Sequence, residues 1–201
     1  SAIPFNPWTD PKRTVMSWLS QAWGRGIFLV TPQVTIETRG LEHLDHGPVM
    51  LVPNHNSVSD TTMLLTVLPP FKFVIKSSVF WVPAIGLHIW LAGYIRAAAG
   101  GEQDAARVLA SCQKWLKRGC HVLWFPEGTR SEDGAVHRFH TGPFLAAKQA
   151  GVKVVPVAIS GTREVLYPRT LRYYFKGRIQ ITLLPPFEVD GDPKEAAKKA
   201  R

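Results

Sequence analysis

Apolar residues recur along this chain with two periods, and each switch between them marks an element. Between residues 14 and 30, Val15, Trp18, Leu19, Ala22 and Trp23 fall at i, i+3, i+4, i+7 and i+8, the spacing of one helical face. Arg13 and Arg25 flank that stripe. With two tryptophans on one face the segment reads as an interfacial anchor, although an ordinary helix packed on a domain has the same spacing. Residues 1–14 are proline-rich and read as irregular. Short apolar runs at 34–38, 48–52, 71–75, 121–125, 152–159 and 179–184 predict strands. Helices are predicted over 61–68, 103–118 and 143–150. In the second of these Ala105, Val108, Leu109, Cys112 and Leu116 share one side, and Gly119 supplies the stop. This alternation predicts an α/β fold: a mixed, largely buried central sheet flanked by helices, with an N-terminal amphipathic membrane-anchoring helix. The expected layout is an interfacial helix region at 1–32, a main domain at 33–190 and a basic tail at 191–201, solvated or frayed.

Residues 79–95 stand apart. They are apolar except for His88, and Pro83 and Gly86 interrupt them. The run is short for a membrane span, so it reads as a hydrophobic surface or tunnel wall, or as a core loop with a core helix.

Composition adjusts this picture. The chain has 201 residues, enough for one domain, and is 45% hydrophobic but only 19% charged. Its formal net charge is +9 and it has seven tryptophans. A basic surface favours anionic partners, and tryptophan prefers the headgroup layer, so a membrane surface fits better than nucleic acid. No nucleic-acid motif accompanies the charge. The two cysteines, Cys112 and Cys120, make no disulfide framework, and no Cys/His metal spacing appears. A reducing, cytosol-facing environment follows as the expectation. No secretory signal pattern is visible.

Two segments carry chemistry, and both follow a predicted strand. The first holds Asn54, His55, Asn56, Ser57, Ser59 and Asp60. In a regular helix His55 and Asp60 would lie roughly 140° apart, so they meet only across a turn. Asn and Ser supply turn chemistry, and Ser59 can cap the helix that follows. Such a turn would return the Asp60 carboxylate to one nitrogen of His55 and leave the other as a general base. A hydrogen-bonded loop histidine without a catalytic role has the same spacing. The second segment runs Phe125, Pro126, Glu127, Gly128, Thr129, Arg130, Ser131. Arg130, Thr129 and backbone N–H groups suit a phosphate, and Gly128 permits close approach. Glu127 would position Arg130 or meet a substrate hydroxyl. A charged turn with an internal Glu–Arg pair is the plainer reading.

Together, in this order, these segments resemble the glycerolipid acyltransferase family, the bacterial 1-acylglycerol-3-phosphate acyltransferases and their relatives. That family shows N-H-x-x-x-x-D, matched by Asn54, His55 and Asp60, and F-P-E-G-T-R-S, matched in full from Phe125 to Ser131. A third element is matched by Phe139, Gly142 and Val155-Pro156-Val157-Ala158-Ile159, with His140 where a lysine is common. The resemblance covers residues 35–190. One stretch departs from it. Where the family has G-x-x-F-I-D-R, this chain has Gly93, Tyr94, Ile95, Arg96, Ala97, Ala98, Ala99 and Gly100. Arg96 is displaced and the aspartate is missing, so the acceptor headgroup becomes the open question.

The resemblance implies an O-acyltransferase that moves a fatty acyl chain from acyl-CoA or acyl carrier protein to the hydroxyl of lysophosphatidic acid. Another acceptor (a lyso-phospholipid, a lyso-aminolipid or glycerol 3-phosphate) is the alternative, and a non-catalytic lipid-binding protein is a third. His55 is implied as the base and Asp60 as its partner. Glu127, Gly128, Thr129 and Arg130, with Arg96, Asn54 and Pro156, are implied around the acceptor. No metal and no resident cofactor are implied. The partners are a membrane lipid, the membrane surface and the acidic thioester carrier. The expected location is peripheral or monotopic on the cytoplasmic face of the cell membrane, and residues 79–91 are expected to wall the acyl chain.

Overall fold

Short runs of β-branched and aromatic residues form seven strands, and a computed structural model of the chain, describing residues 10–29, 31–98, 101–165 and 176–201, pairs them into one sheet. The strands are β1 (Gln33–Arg39), β2 (Met50–Pro53), β3 (Phe71–Lys76), β4 (Ile95–Ala97), β5 (His121–Leu123), β6 (Val154–Ser160) and β7 (Lys176–Leu183). Their order is β1-β7-β6-β2-β5-β3-β4. Every pairing is parallel except β6 with β7, so the sheet is mixed, as expected. Strand β4 was not foreseen, since three residues carry no period. Of the sequence expectations, residues 1–9, Val30, Ala99 and Gly100 lie outside the described residues.

The helices are α1 (Thr14–Leu29), α2 (Ser59–Val67), α3 (Ile85–Leu91), α4 (Gly101–Lys117), α5 (Gly142–Ala150), α6 (Thr162–Val165) and α7 (Pro193–Ala200). Alternate strand residues feed two cores. Leu51, Leu123, Val155 and Val157 join Met63, Leu64 and Ile89 on one side of the sheet. Met50, Val52, Val122 and Val154 join Cys112, Leu116, Phe144 and Ala197 on the other. The period of two thus places α1, α2 and α3 against one face and α4, α5 and α7 against the opposite one.

Helix α1 packs by the side opposite to its apolar stripe. Ser17, Ser20, Gln21 and Gly24 also fall at i, i+3, i+4 and i+7, and these, with Met16, are buried. Val15, Trp18, Leu19 and Trp23 are exposed, Trp18 by 64% and Trp23 by 58%. The polar side finds partners: Gln21 Nε2 donates to Leu68 O at 2.6 Å, and Tyr94 Oη donates to Ser20 Oγ at 2.8 Å. Ser20 Oγ also lies 2.7 Å from His88 Nε2 on α3. Buried Lys72 donates to Ser17 Oγ at 3.0 Å and to Ala92 O at 2.9 Å, with Trp115 beneath its ammonium. Burial lowers its pKa to about 8. Gly24 lets the helices approach, because a Cβ there would meet Thr66 Oγ1 at 3.1 Å.

Residues 79–95 break into a tight 3-10 turn (Ser77–Trp81), then α3, then the start of β4. Trp81, Val82, Ile85, Leu87 and Trp90 are exposed, so the segment is an apolar surface beside α1. At the other end of the chain, the expected solvated tail is a packed helix. Asp192 caps it by accepting from Lys194 N at 2.9 Å, and Ala196, Ala197 and Ala200 are buried. Small apolar residues on one side of a Lys-rich helix are enough to seat it.

Candidate active site

Strands β2, β5, β3 and β4 run parallel, so the loops leaving their C-terminal ends share one edge of the sheet. The loop after β2 turns at Ser57, whose carbonyl accepts from Asp60 N at 3.2 Å, and this starts α2. The turn brings Asp60 Oδ2 to 2.9 Å from His55 Nδ1. The same oxygen accepts from Asn56 N at 2.7 Å and Ser57 N at 2.8 Å. Asp60 is fully buried, whereas the His55 side chain is 18% exposed. A carboxylate can only accept, so in the neutral ring Nδ1 carries the proton and Nε2 keeps its lone pair. Phe125 fixes the plane of the imidazole: the two rings stack with centroids 3.8 Å apart and 15° between planes.

Glu127 holds the two loops together. Its Oε1 accepts from His55 N at 2.7 Å and its Oε2 from His137 N at 2.9 Å, and the residue is 4% exposed. Ser131 N returns a bond to His55 O at 2.7 Å. Asn54 is likewise turned inward. It grips Ile159 on β6 from both ends, donating from Nδ2 at 3.0 Å and accepting at Oδ1 at 2.7 Å. Outside these braces Gly128, Thr129 and Arg130 are exposed, and Arg130 forms no ion pair among the described residues. Gly128 has φ +69°, a conformation glycine adopts at least cost, and it lies against His140.

The structure therefore joins His55, Asp60, Glu127, Gly128, Thr129 and Arg130 on one edge. Among the described residues neither Arg96 nor Pro156 is hydrogen-bonded to any of them. Arg96 lies on β4, two strands from β5, the strand that the Arg130 loop follows. Its guanidinium stands 5.8 Å from the centre of the Trp81 ring. Pro156 is inside β6, paired with Val52 and buried. No group of His, Cys, Asp and Glu among the described residues is arranged to hold a metal ion.

The family model named Acyltransferase matches residues 35–160, more than half of the chain. The chain belongs to the acyltransferase family. Among curated members it is 31% identical over 186 residues to a chloroplastic 1-acyl-sn-glycerol-3-phosphate acyltransferase of Arabidopsis thaliana, covering 91% of this chain and 52% of that protein. It is 35% identical over 192 residues to a 1-acyl-sn-glycerol-3-phosphate acyltransferase of Chlamydomonas reinhardtii, covering 94% of this chain and 58% of that one. The chain thus spans little more than half the length of these acyltransferases. Its fold matches the crystal structure of the 1-acyl-sn-glycerophosphate acyltransferase of Thermotoga maritima with a TM-score of 0.75 and 24% identity, over 93% of this chain and 78% of that one.

Three features of the site carry no signal in the residue types. Phe125 was visible only as a motif letter, not as a platform for His55. His137 and His140 meet the site through a backbone N–H and a ring edge, which leave no residue-type signal. The inward turn of Glu127 was also unseen, because a carboxylate beside an arginine suggests an ion pair first.

Proposed function

We propose that this protein transfers a fatty acyl group from a thioester, acyl-CoA or acyl carrier protein, to the hydroxyl of lysophosphatidic acid, giving phosphatidic acid. The observation that carries this reading is the pairing of buried Asp60 with partly exposed His55, in a loop braced through Glu127 and Ser131 to the segment that bears Gly128–Arg130. In this reading His55 Nε2 takes the acceptor's hydroxyl proton as its oxygen attacks the thioester carbonyl. The carbon–sulfur bond breaks, and the imidazolium returns the proton to the departing thiolate. The Asp60 carboxylate offsets the transient charge. No acyl-enzyme forms, and no metal or resident cofactor takes part. Arg130, with the N–H groups of Gly128 and Thr129, holds the acceptor phosphate. Glu127 and Asn54 keep the two loops in register rather than touching substrate. Much of the rate then comes from holding two substrates together.

The exposed Trp18, Trp23, Trp81 and Trp90 support docking at a membrane surface, where the acceptor lipid resides. No helix among the described residues is long and apolar enough to cross a membrane. A peripheral or monotopic place on the cytoplasmic face follows from this reading. The contact of Arg96 with Trp81 supports a second acceptor class without a phosphomonoester, a lyso-phospholipid or a lyso-aminolipid, because the guanidinium is already engaged by the ring. An assay with radiolabelled thioester and a panel of lyso-acceptors, read by lipid chromatography, tests both. Labelled phosphatidic acid is the expected product. Product only from an acceptor lacking the phosphomonoester selects the second class, and none from any acceptor leaves a lipid-binding protein.

A further inference from the structure

The edge that carries His55 has two unlike flanks. On the α1 and α3 flank most of the large exposed side chains are aromatic and aliphatic. On the α5 and α7 flank they are largely cationic. There His140 lies over Gly128, with 3.5 Å between its Cδ2 and the position of a Cβ. Arg138 and His140 are exposed while Phe139 between them is buried, so the two side chains share the outer side of this segment. Next to them is a concave basin of about 300 Å³ against α7, walled by Arg138, Lys194, Lys198 and Arg201. Lys194, Lys198 and Arg201 fall at i, i+4 and i+7, one helical face. Buried Ala196, Ala197 and Ala200 hold that face outward. Glu195 is the one acid in the wall, and Lys198 already pairs with it at 2.8 Å. Arg201 Nε ties the helix to the loop by donating to Val136 O at 3.2 Å.

Resting on the acyl-transfer reading above, we propose that this basin binds the phosphorylated nucleotide of a coenzyme-A-type thioester, whose pantetheine arm runs past Arg138 and His140 to His55. Such a donor carries its anions at one end and its thioester at the other, joined by a long flexible arm. Its site needs cations at a distance from the general base. The exposed surface of the flank with α1 and α3 is mainly aromatic and aliphatic, and its cations Arg25 and Arg96 stand on separate elements. A cavity of this size is at the lower end of small-molecule sites, and its concavity lets several cations converge on phosphate oxygens. The acidic face of a carrier protein would instead meet a broad, flat patch.

Adenosine 3′,5′-bisphosphate is the probe, titrated calorimetrically into the full chain, alongside kinetics with acyl-CoA, acyl-pantetheine and an acyl carrier protein. The expected result is saturable bisphosphate binding that weakens about tenfold in Lys194→Glu/Lys198→Glu, the scale of lost charge-assisted contacts. Arg138→Ala should weaken it in the same direction. In the variants KM for acyl-CoA should rise about as much, while turnover of acyl-pantetheine stays at the wild-type level. The inference is overturned by absent bisphosphate binding, by binding unchanged in the variants, or by equal competition from inorganic phosphate. It is also overturned if the variants impair the carrier protein but not acyl-CoA. Failure of the acyl-transfer reading looks different: wild-type turnover is absent with every donor, and the calorimetry still decides whether the basin takes the nucleotide.

Discussion

Asp60 Oδ2 accepts three hydrogen bonds, from His55 Nδ1 and from the N–H groups of Asn56 and Ser57. One oxygen therefore shapes the turn and orients the imidazole together. Loss of the ring in His55→Ala should lower kcat by about a thousandfold with the fold intact, the usual range for removing a general base. Circular dichroism with steady-state kinetics checks this, and substantial residual turnover would contradict the assignment. Glu127 predicts a different pattern. In Glu127→Gln one amide N–H must face either His55 N or His137 N, leaving a buried donor pair that costs about 1–3 kcal/mol. The melting temperature should fall and kcat should drop more than the acceptor KM. A selective rise in acceptor KM at unchanged stability would instead mean that Glu127 touches substrate. The pairing of His55 with Asp60 was legible from residue types, because turn-forming Asn and Ser lie between them. The duty of Glu127 was not, since its partners are backbone groups supplied by loops distant in sequence.

Helix α1 was legible as a helix but not in its orientation. Two stripes with the same spacing run along it, one apolar and one small and polar, and only the packing partner decides which is buried. Here Leu68 O, Tyr94, His88 and Lys72 meet the polar stripe. Trp18→Ser/Trp23→Ser should therefore leave the melting temperature nearly unchanged and reduce co-sedimentation with anionic vesicles at least about tenfold, given the apolar area lost. A destabilised, still vesicle-bound variant would show that those rings pack inside. Lys72 gives this element a pH signature. Its folded pKa is about 8, below the unfolded value, because burial disfavours the charge. Between about pH 8 and pH 10.5 the unfolded chain holds a proton that the folded one has released, so this group adds stability as pH rises. Below pH 8 it is charged in both states and the burial penalty persists, on the order of 3 kcal/mol. Denaturant titrations across pH 7–10.5 should show the wild type gaining stability relative to Lys72→Met, since buried Cys112 and Tyr94, whose raised pKa values oppose the rise, act alike in both proteins. Parallel curves for the two proteins would refute it.

At the scale of the molecule, the sheet separates an apolar flank from a basic one and holds the base at the edge between them. Surfaces so far apart should act independently, as distant sites generally do. The Trp18→Ser/Trp23→Ser variant should keep wild-type affinity for adenosine 3′,5′-bisphosphate, and Lys194→Glu/Lys198→Glu should keep binding to neutral-lipid vesicles. Paired calorimetry and sedimentation measure both, and loss of both functions in either variant would mean that the flanks are one surface.

Sequence alone determined the elements with a clear period and the two polar loops. Alternating Val, Ile and Leu cannot sit still except as buried strands, and Asn54–Asp60 and Phe125–Ser131 have no apolar face to hide. Tertiary structure decided what depends on distant partners. It selected the buried side of α1, split residues 79–95 between a turn, a helix and β4, seated α7 on α5, and turned Asn54 and Glu127 inward. The reason is physical: periodicity records which residues share a face, whereas burial depends on what another part of the chain brings to that face.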